Sequence, residues 1–512
     1  MNNESDRIKK SSLNVSANMI IYLLQSILSF VVRTFFIKKL GEELLGLDNL
    51  LINVLSMLSI AELGFSTAIS YGLYKPLADN KIKKINAYMS FYKKVYKYIG
   101  FIIIICGLLL SLFLPKIIGN CEYKYVYLVY FLYLFNTASL YFISYKDVLL
   151  FADQKNYKIF KYNCFFNSLI YVLQILMLLY YPNYLLYIII MILCKLFNRV
   201  IVNRFISKYY NDVDFNSKDK LETQEIDAIK ENVFGLFFYK IGDYIINCTD
   251  NIIISSMINI VTVGVYTNYL SITTILKSLI KNLFNGITAS FGNLSAQNNK
   301  EGEKNVFEIM VFLCFFVGGY VTICLLNLIN PFIEIWIGKK FVLSNIAMIL
   351  ICINFYLTCN QMPLDTVKEA KGFYKKDKYI PLIQSIINIL LSIIFALRFK
   401  LVGILIGTTI SYLITVFWNK PYVLYKYVFK SSNIKYFINQ IKYIFTIIFI
   451  YFFTSYILSY LNLNVNLFNL VVSGIIITFI YFIIISILFF YTDEYKFFVN
   501  YVKNIIKKCI KH

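Results

Sequence analysis

The chain is divided into about fourteen apolar runs of about 18–25 residues, and each run is long enough to cross the hydrocarbon core of a bilayer as a helix. Hydrophobic residues make up 59% of the 512 residues and charged residues only 15%. A soluble domain is less apolar and carries about 25% charged residues. We therefore predict an all-α polytopic membrane protein. The predicted spans lie near 15–37, 44–72, 95–114, 125–145, 163–181, 184–206, 232–257, 263–291, 306–329, 343–363, 380–397, 401–424, 440–460 and 467–491.

The formal net charge of +22 is distributed as expected for a membrane protein and not for a nucleic-acid-binding protein. With both termini in the cytoplasm, 38 of the 50 Lys and Arg residues fall in cytoplasmic segments, and 8 fall in outside loops. Such an excess of basic residues on the inside sets the orientation of membrane proteins. We therefore expect a multi-pass protein of the bacterial cytoplasmic membrane, in contact with membrane lipids, without a nucleic-acid partner.

Among the charged side chains of the apolar runs we single out seven, each of which would cost about 2.5–3.5 kcal/mol at a helix centre if it faced lipid. Polar residues three or four positions apart accompany them on spans one, two, seven and eight, and such residues share a helix face. The cations are candidates for binding an anionic substrate such as a phosphate or a carboxylated sugar. The acids are candidates for charge compensation or for H⁺ or Na⁺ coupling. The cations are Arg33, Lys240, Lys277 and Lys281, and the acids are Glu62, Asp243 and Asp250.

Each of these residues also has a structural interpretation. Arg33 can extend towards the outer interface, Lys240 and Asp243 are close enough along a helix to neutralise each other, and neighbouring serines can hydrogen-bond to Glu62. Lys277 and Lys281 differ, because they lie near the middle of a span, one turn apart, with no acid on the same helix.

Sequence signatures of catalysis are absent. The chain has no phosphate-binding G-x-x-x-x-G-K-[ST] loop, no H-E-x-x-H and no G-x-S-x-G. The ten cysteines form no C-x-x-C pair and the single histidine is His512, so we expect neither a metal site nor a disulfide framework. Asp212 and Asp214 form a D-x-D sequence, but they lie in a short charged segment without a surrounding domain. We therefore predict no catalytic residues, no cofactor and no enzyme activity.

The two halves of the sequence resemble each other weakly. The segment 46–50 (GLDNL) precedes one polar-striped span, and 264–268 (GVYTN) precedes another. Two halves that enter the membrane in the same orientation form a parallel repeat about an axis along the membrane normal. We predict a six-helix lobe over residues 1–230, a second six-helix lobe over 231–430, and two additional helices with a cytoplasmic tail over 431–512.

Several segments resemble the bacterial polysaccharide-biosynthesis flippases of Wzx type, which transport O-antigen and capsule oligosaccharides. These belong to the multidrug/oligosaccharidyl-lipid/polysaccharide (MOP) superfamily, with the MATE exporters and the lipid II flippases. The resemblance implies two six-helix lobes around a central cavity and alternating access. It also implies undecaprenyl-diphosphate-linked oligosaccharide as the substrate, with polysaccharide polymerase and chain-length proteins as possible partners. The similar segments are 61–70 (AELGFSTAIS), 73–78 (LYKPLA), 250–255 (DNIIIS), 263–269 (VGVYTNY), 292–294 (GNL), 336–338 (WIG) and 388–392 (NILLS).

The sequence therefore predicts a lipid-linked oligosaccharide flippase with a cationic cavity. Two alternatives remain open: an ion-coupled multidrug exporter of the same fold, and a membrane-embedded polysaccharide polymerase or glycosyltransferase. An exporter of cationic drugs would need an acidic cavity, and a polymerase usually needs a long outer loop, whereas the outer loops here are short.

Overall fold

The fold, described from a computed structural model, consists of helices, and no strand occurs in the described part. That part is residues 24–500 except 63, 120–122, 154, 297–299, 372–376, 378, 462–463 and 498. The helices are α1 (residues 24–40), α2 (Glu42–Leu58), α3 (Phe65–Ala78), α4 (Ile82–Ser111), α5 (Leu114–Ile118), α6 (Val126–Ile143), α7 (Asp147–Ala152), α8 (Tyr157–Tyr180), α9 (Tyr184–Tyr209), α10 (Thr223–Met257), α11 (Ile260–Ala296), α12 (Lys300–Ile337), α13 (Asn345–Lys371), α14 (Ile380–Ile414), α15 (Val416–Val423), α16 (Ile434–Tyr460) and α17 (Leu467–Phe489).

The predicted all-α membrane fold is confirmed. Nine segments of the described chain are long and apolar enough to cross a membrane, from Ile82–Ser111 to Leu467–Phe489. Many large apolar side chains on these helices are exposed, as expected for surfaces that contact lipid and not water. The full count of fourteen spans stays a prediction.

The helices cluster into two compact units, one ending at Gly264 and the other beginning at Val265. In the first unit, α4 packs on α6, α9 packs on α6 and α8, and α10 packs on α2, α3 and α5. In the second unit, α12 contacts α13, α16 and α17, and α13 contacts α14. The predicted division at residues 230 and 430 stays a prediction.

The second predicted span is not one continuous helix. α2 ends at Leu58, a 3₁₀ turn follows over Ser59–Glu62, and α3 begins at Phe65. Gly64 has φ +93°, in the left-handed region that residues with a side chain rarely adopt. The polar residues predicted to share one helix face on this span therefore do not lie on one continuous helix. The break places Ser59 and Glu62 in the 3₁₀ turn.

The two predicted spans over 380–397 and 401–424 are separated by a reversal of the chain at Lys400, which has φ +50°. The two arms of α14 lie close together, since a Cβ atom on Gly407 would be 2.7 Å from the backbone nitrogen of Ser392. Asn388 donates a hydrogen bond of 3.0 Å to Thr408 across the pair. Small and polar side chains thus connect the arms, as is common between membrane helices.

The short charged segment before α10 is packed against other residues of the first unit. Ser90 donates a hydrogen bond of 2.8 Å to the carbonyl of Ser217, and the side chain of Asn86 accepts one of 3.0 Å from the amide of Asp214. Val213 and Phe215 are buried. The D-x-D sequence therefore belongs to a packed turn whose middle residue faces inward, which fits a structural role.

Candidate functional site

The first unit contains a polar cavity of about 380 Å³, within the range of about 300–1,000 Å³ that is typical of small-molecule sites. It lies between α2, the 3₁₀ turn, α4, α6 and α9. The lining contains three charged and eight uncharged polar side chains, which the fold brings together from these different elements. Its lining residues are Ile52, Leu55, Ser56, Ser59, Glu62, Tyr96, Tyr133, Asn136, Thr137, Leu140, Tyr141, Ser144, Met191, Lys195 and Arg199.

The cavity lies beside the middle parts of three long helices. Tyr96 is near the middle of α4, Asn136 is near the middle of α6, and Lys195 is near the middle of α9. Each of these helices belongs to a segment that is long and apolar enough to cross the hydrocarbon core. Charged groups within such segments are costly unless they face a partner or a polar cavity. The cavity provides polar partners for the charged groups that line it.

The carboxylate of Glu62 is positioned by tyrosines. The hydroxyl of Tyr96 donates a hydrogen bond to Glu62, and the hydroxyl of Tyr141 interacts with both Glu62 and Ser59. The adjacent turn of α2 is tied to α10, because Tyr244 donates a hydrogen bond of 2.6 Å to the carbonyl of Ser56. These contacts hold the carboxylate at the cavity, where it accepts hydrogen bonds.

Two cations on α9 face the same cavity. Lys195 and Arg199 are four residues apart and so share a helix face. Arg199 forms an ion pair with Asp147, with 2.6 Å between Nη1 and Oδ2. Within the described part of the chain, Lys195 forms no ion pair or hydrogen bond with another side chain. Lys195 is therefore a cation that remains available to a ligand.

A second charged cluster adjoins the cavity around Asp48 on α2. Tyr184 donates a hydrogen bond of 3.1 Å to the carboxylate of Asp48, and Tyr133, which also lines the cavity, donates another. Arg33 and Lys195 both lie within electrostatic range of Asp48. Arg33 thus has an acidic neighbour within the first unit, which the sequence did not indicate.

The predicted site residues have different positions. Glu62 lines the cavity and Arg33 lies near its Asp48 side, whereas Asp250 on α10 is half-buried and is not a lining residue. The side chains of Lys240 and Asp243 lie outside the described residues.

The two lysines of α11 belong to the second unit, where Lys277 is half-buried and Lys281 is exposed. Their proposed role in binding substrate stays a prediction.

Sequence reasoning missed Lys195, Arg199 and Asp48. Both basic residues count among the cytoplasmic Lys and Arg residues of the predicted topology. Their spacing of four residues was the available signal, since it places both on one face of the helix. No group of three or more His, Cys, Asp or Glu side chains in the described chain is arranged to hold a metal ion.

Comparisons with known proteins agree with this architecture. The inward closed conformation of the lipid II flippase MurJ covers 92% of this chain and 98% of its own, with 17% identity and a TM-score of 0.66. An inward-facing multidrug resistance MATE transporter of the MOP superfamily covers 78% of this chain and 96% of its own, with 15% identity and a TM-score of 0.63. A mutant of the MATE transporter VcmN of Vibrio cholerae covers 84% of this chain and 99% of its own, with 13% identity and a TM-score of 0.56. No curated protein sequence matches the chain.

At these identities, the structural matches show that the chain has the fold of MOP transporters. They do not show which substrate it carries. Sequence evidence comes from a family model described as polysaccharide biosynthesis protein, which matches residues 12–286, more than half of the chain. The matched region includes every lining residue of the cavity. The chain therefore belongs to the polysaccharide biosynthesis protein family.

Proposed function

We propose that the protein is a flippase that moves undecaprenyl-diphosphate-linked oligosaccharide across the bacterial cytoplasmic membrane during assembly of O-antigen, capsule or exopolysaccharide. The observation that carries this proposal is the polar cavity among the long apolar helices of a member of a polysaccharide biosynthesis family. A glycan is rich in hydroxyl groups and needs hydrogen-bonding partners to replace water inside the bilayer. The hydroxyl, amide and charged side chains of the cavity supply such partners.

The fold supports this substrate class. MurJ, whose fold this chain shares, is named a lipid II flippase. Here the glycan would occupy polar surfaces of the helical units while the polyprenyl chain stays in the surrounding lipid. Separating the two parts in this way avoids moving the glycan through hydrocarbon.

Four cations are proposed to attract the diphosphate or an acidic sugar. These are Arg33, Lys240, Lys277 and Lys281. In a medium of low dielectric constant, a cation attracts an anion far more strongly than it does in water.

Three carboxylates are proposed to compensate these charges or to couple transport to H⁺ or Na⁺. These are Glu62, Asp243 and Asp250. The gradient of a monovalent ion supplies about 2.3 kcal/mol per charge for each 100 mV of membrane potential. Glu62 is the best placed of the three, because it lines the cavity.

The proposal is tested by depleting the protein in its native cell and assaying lipid-linked oligosaccharide in each leaflet of the membrane. We expect the intermediate to accumulate on the cytoplasmic side and surface polysaccharide to fall. Replacing Lys277 and Lys281 together by Ala should reproduce this loss at equal protein abundance, whereas Lys208→Ala, at an exposed position on α9, should not. Unchanged surface glycan in the double variant would remove the two lysines from the proposed mechanism.

The MATE-like fold supports one alternative, an ion-coupled multidrug exporter. Glu62 would then be the group that attracts a cationic drug. Increased drug sensitivity on deletion, with normal surface polysaccharide and no accumulated lipid-linked intermediate, would favour this alternative over the flippase.

A further inference from the structure

We propose that the cavity of the first unit binds a monoanionic sugar, a saccharide unit with one carboxylate, through the ammonium group of Lys195. This proposal rests on the proposed function only in taking that sugar to be part of the transported glycan. It assigns a role in sugar binding to Asn136 on α6 and Lys195 on α9, and neither residue is among the site residues predicted from the sequence.

The charges around Lys195 favour one negative charge on a ligand that binds there. Arg199 is already paired with Asp147 at 2.6 Å, and Asp48 lies within electrostatic range of both Arg33 and Lys195. These three cations and two acids leave one positive charge, while Glu62, the remaining acid of the cavity, is hydrogen-bonded to Tyr96. Lys195 is then the one lining cation of the described residues without an ion pair. A single ammonium group matches a single carboxylate, whereas a diphosphate carries more charge than Lys195 alone can balance.

Two buried polar atoms of the cavity lining are available to a hydrogen-bonding ligand. Asn136 is only 7% exposed, yet its Oδ1 atom has no hydrogen-bond partner in the described part of the chain. The Oγ atom of Ser144 is buried and lacks a partner in the same way. Leaving such a group unsatisfied costs about 1–3 kcal/mol. Because both residues line the cavity, hydroxyl groups of a bound sugar would satisfy them.

The remaining lining groups fit the other positions of a sugar ring. Glu62 accepts hydrogen bonds and is held in place by Tyr96. Tyr133 and Tyr141 add aromatic faces beside polar hydroxyl groups, so the site combines apolar surface with fixed polar groups. A volume of about 380 Å³ is small for an oligosaccharide and suits one or two sugar units.

The test measures binding to the purified full-length protein in lipid nanodiscs by saturation-transfer NMR and by thermal shift. The probes are D-glucuronate, D-glucose and inorganic pyrophosphate at equal ionic strength. We expect glucuronate to bind and to raise the melting temperature more than either of the other two probes. In Lys195→Gln, affinity for glucuronate should fall about tenfold or more, the equivalent of about 1.4 kcal/mol.

Two further variants separate binding from folding. Lys208→Gln removes a charge from an exposed position of the same helix and should leave glucuronate binding unchanged. Asn136→Leu removes the unsatisfied amide oxygen and keeps a side chain of similar shape. It should therefore raise thermal stability and still weaken glucuronate binding. A purely structural role of Asn136 would instead lower thermal stability and leave affinity unchanged.

The proposal is overturned if glucuronate does not bind, if glucose binds equally well, or if Lys195→Gln binds glucuronate like the wild type. Tighter binding of pyrophosphate that requires Lys195 would assign the cavity to the diphosphate and reject the acidic sugar. These outcomes do not depend on the flippase assay. Accumulation of lipid-linked glycan on depletion, without glucuronate binding, would reject this subsite alone.

Discussion

The two glycines that open the repeated segments of the sequence are in direct contact with each other. A Cβ atom on Gly46 would be 3.1 Å from the backbone nitrogen of Gly264, and one on Gly264 would be 3.2 Å from that of Gly46. The carbonyl of Ile260 lies even closer to the Gly46 position. Backbones of α2 and the start of α11 therefore meet without intervening side chains, as small residues allow between membrane helices.

Replacing Gly46 by Ala should destabilise the protein, because the added methyl group meets backbone atoms that cannot rotate away. We expect a loss of about 1–3 kcal/mol, typical of overpacking, measured as a lower melting temperature in detergent. Gly474→Ala is the matched control, since its nearest atom would be 3.8 Å away. Equal melting temperatures for Gly46→Ala and the wild type would contradict the close contact.

At the scale of the elements, three ion pairs connect α13 to α12, to α15 and to the segment before α14 within the second unit. Lys368 pairs with Asp377, Lys371 with Glu303 at 2.5 Å, and Lys420 with Asp365 at 2.7 Å. Lys368 is fully buried and Asp377 nearly so. The six charges cancel, so the cluster is a structural connection and not a site for an anion.

Lys368→Met should therefore be strongly destabilising, by about 3–5 kcal/mol, because it leaves Asp377 as a buried charge without its cation. The double variant Lys368→Met/Asp377→Leu should recover most of that stability, since it removes both charges. Thermal unfolding of both variants in detergent measures the difference. A double variant less stable than the single one would show that these side chains act through other contacts.

Apolar runs in the sequence were sufficient to predict helices and their approximate limits, because the bilayer requires long apolar helices. The reversal at Lys400 separates two predicted spans within residues 380–414. The break after Leu58 was not predicted, since Gly64 alone does not reveal that the backbone needs a positive φ there.

The candidate site was predicted only in part. Glu62 stood out as an acid in an apolar run, and the structure places it in the cavity. Lys195 and Asn136 become neighbours of the same cavity only through the packing of α6 against α9, which no local pattern specifies. Asp48 looked like part of a repeated segment, while its tyrosine partners come from two other helices.

At the scale of the whole molecule, the orientation in the membrane follows from the distribution of basic residues. Residues 420–442 hold five lysines, and α16 (Ile434–Tyr460) leads from this segment to the loop that precedes α17. A helix of this length crosses the membrane once. We therefore expect an epitope tag inserted after Ser432 to lie in the cytoplasm and a tag inserted after Asn464 to lie outside.

Antibody labelling of intact spheroplasts measures this orientation, with permeabilised cells as the control for expression and epitope access. The tag after Asn464 should be labelled in intact spheroplasts, and the tag after Ser432 should be labelled only after permeabilisation. The reverse pattern would invert the orientation, and with it the expected direction of glycan transport, because the cation-rich ends of the helices would face outward. Labelling of both tags in intact cells would instead mean that α16 does not cross the membrane, so the chain would return to the same side before α17.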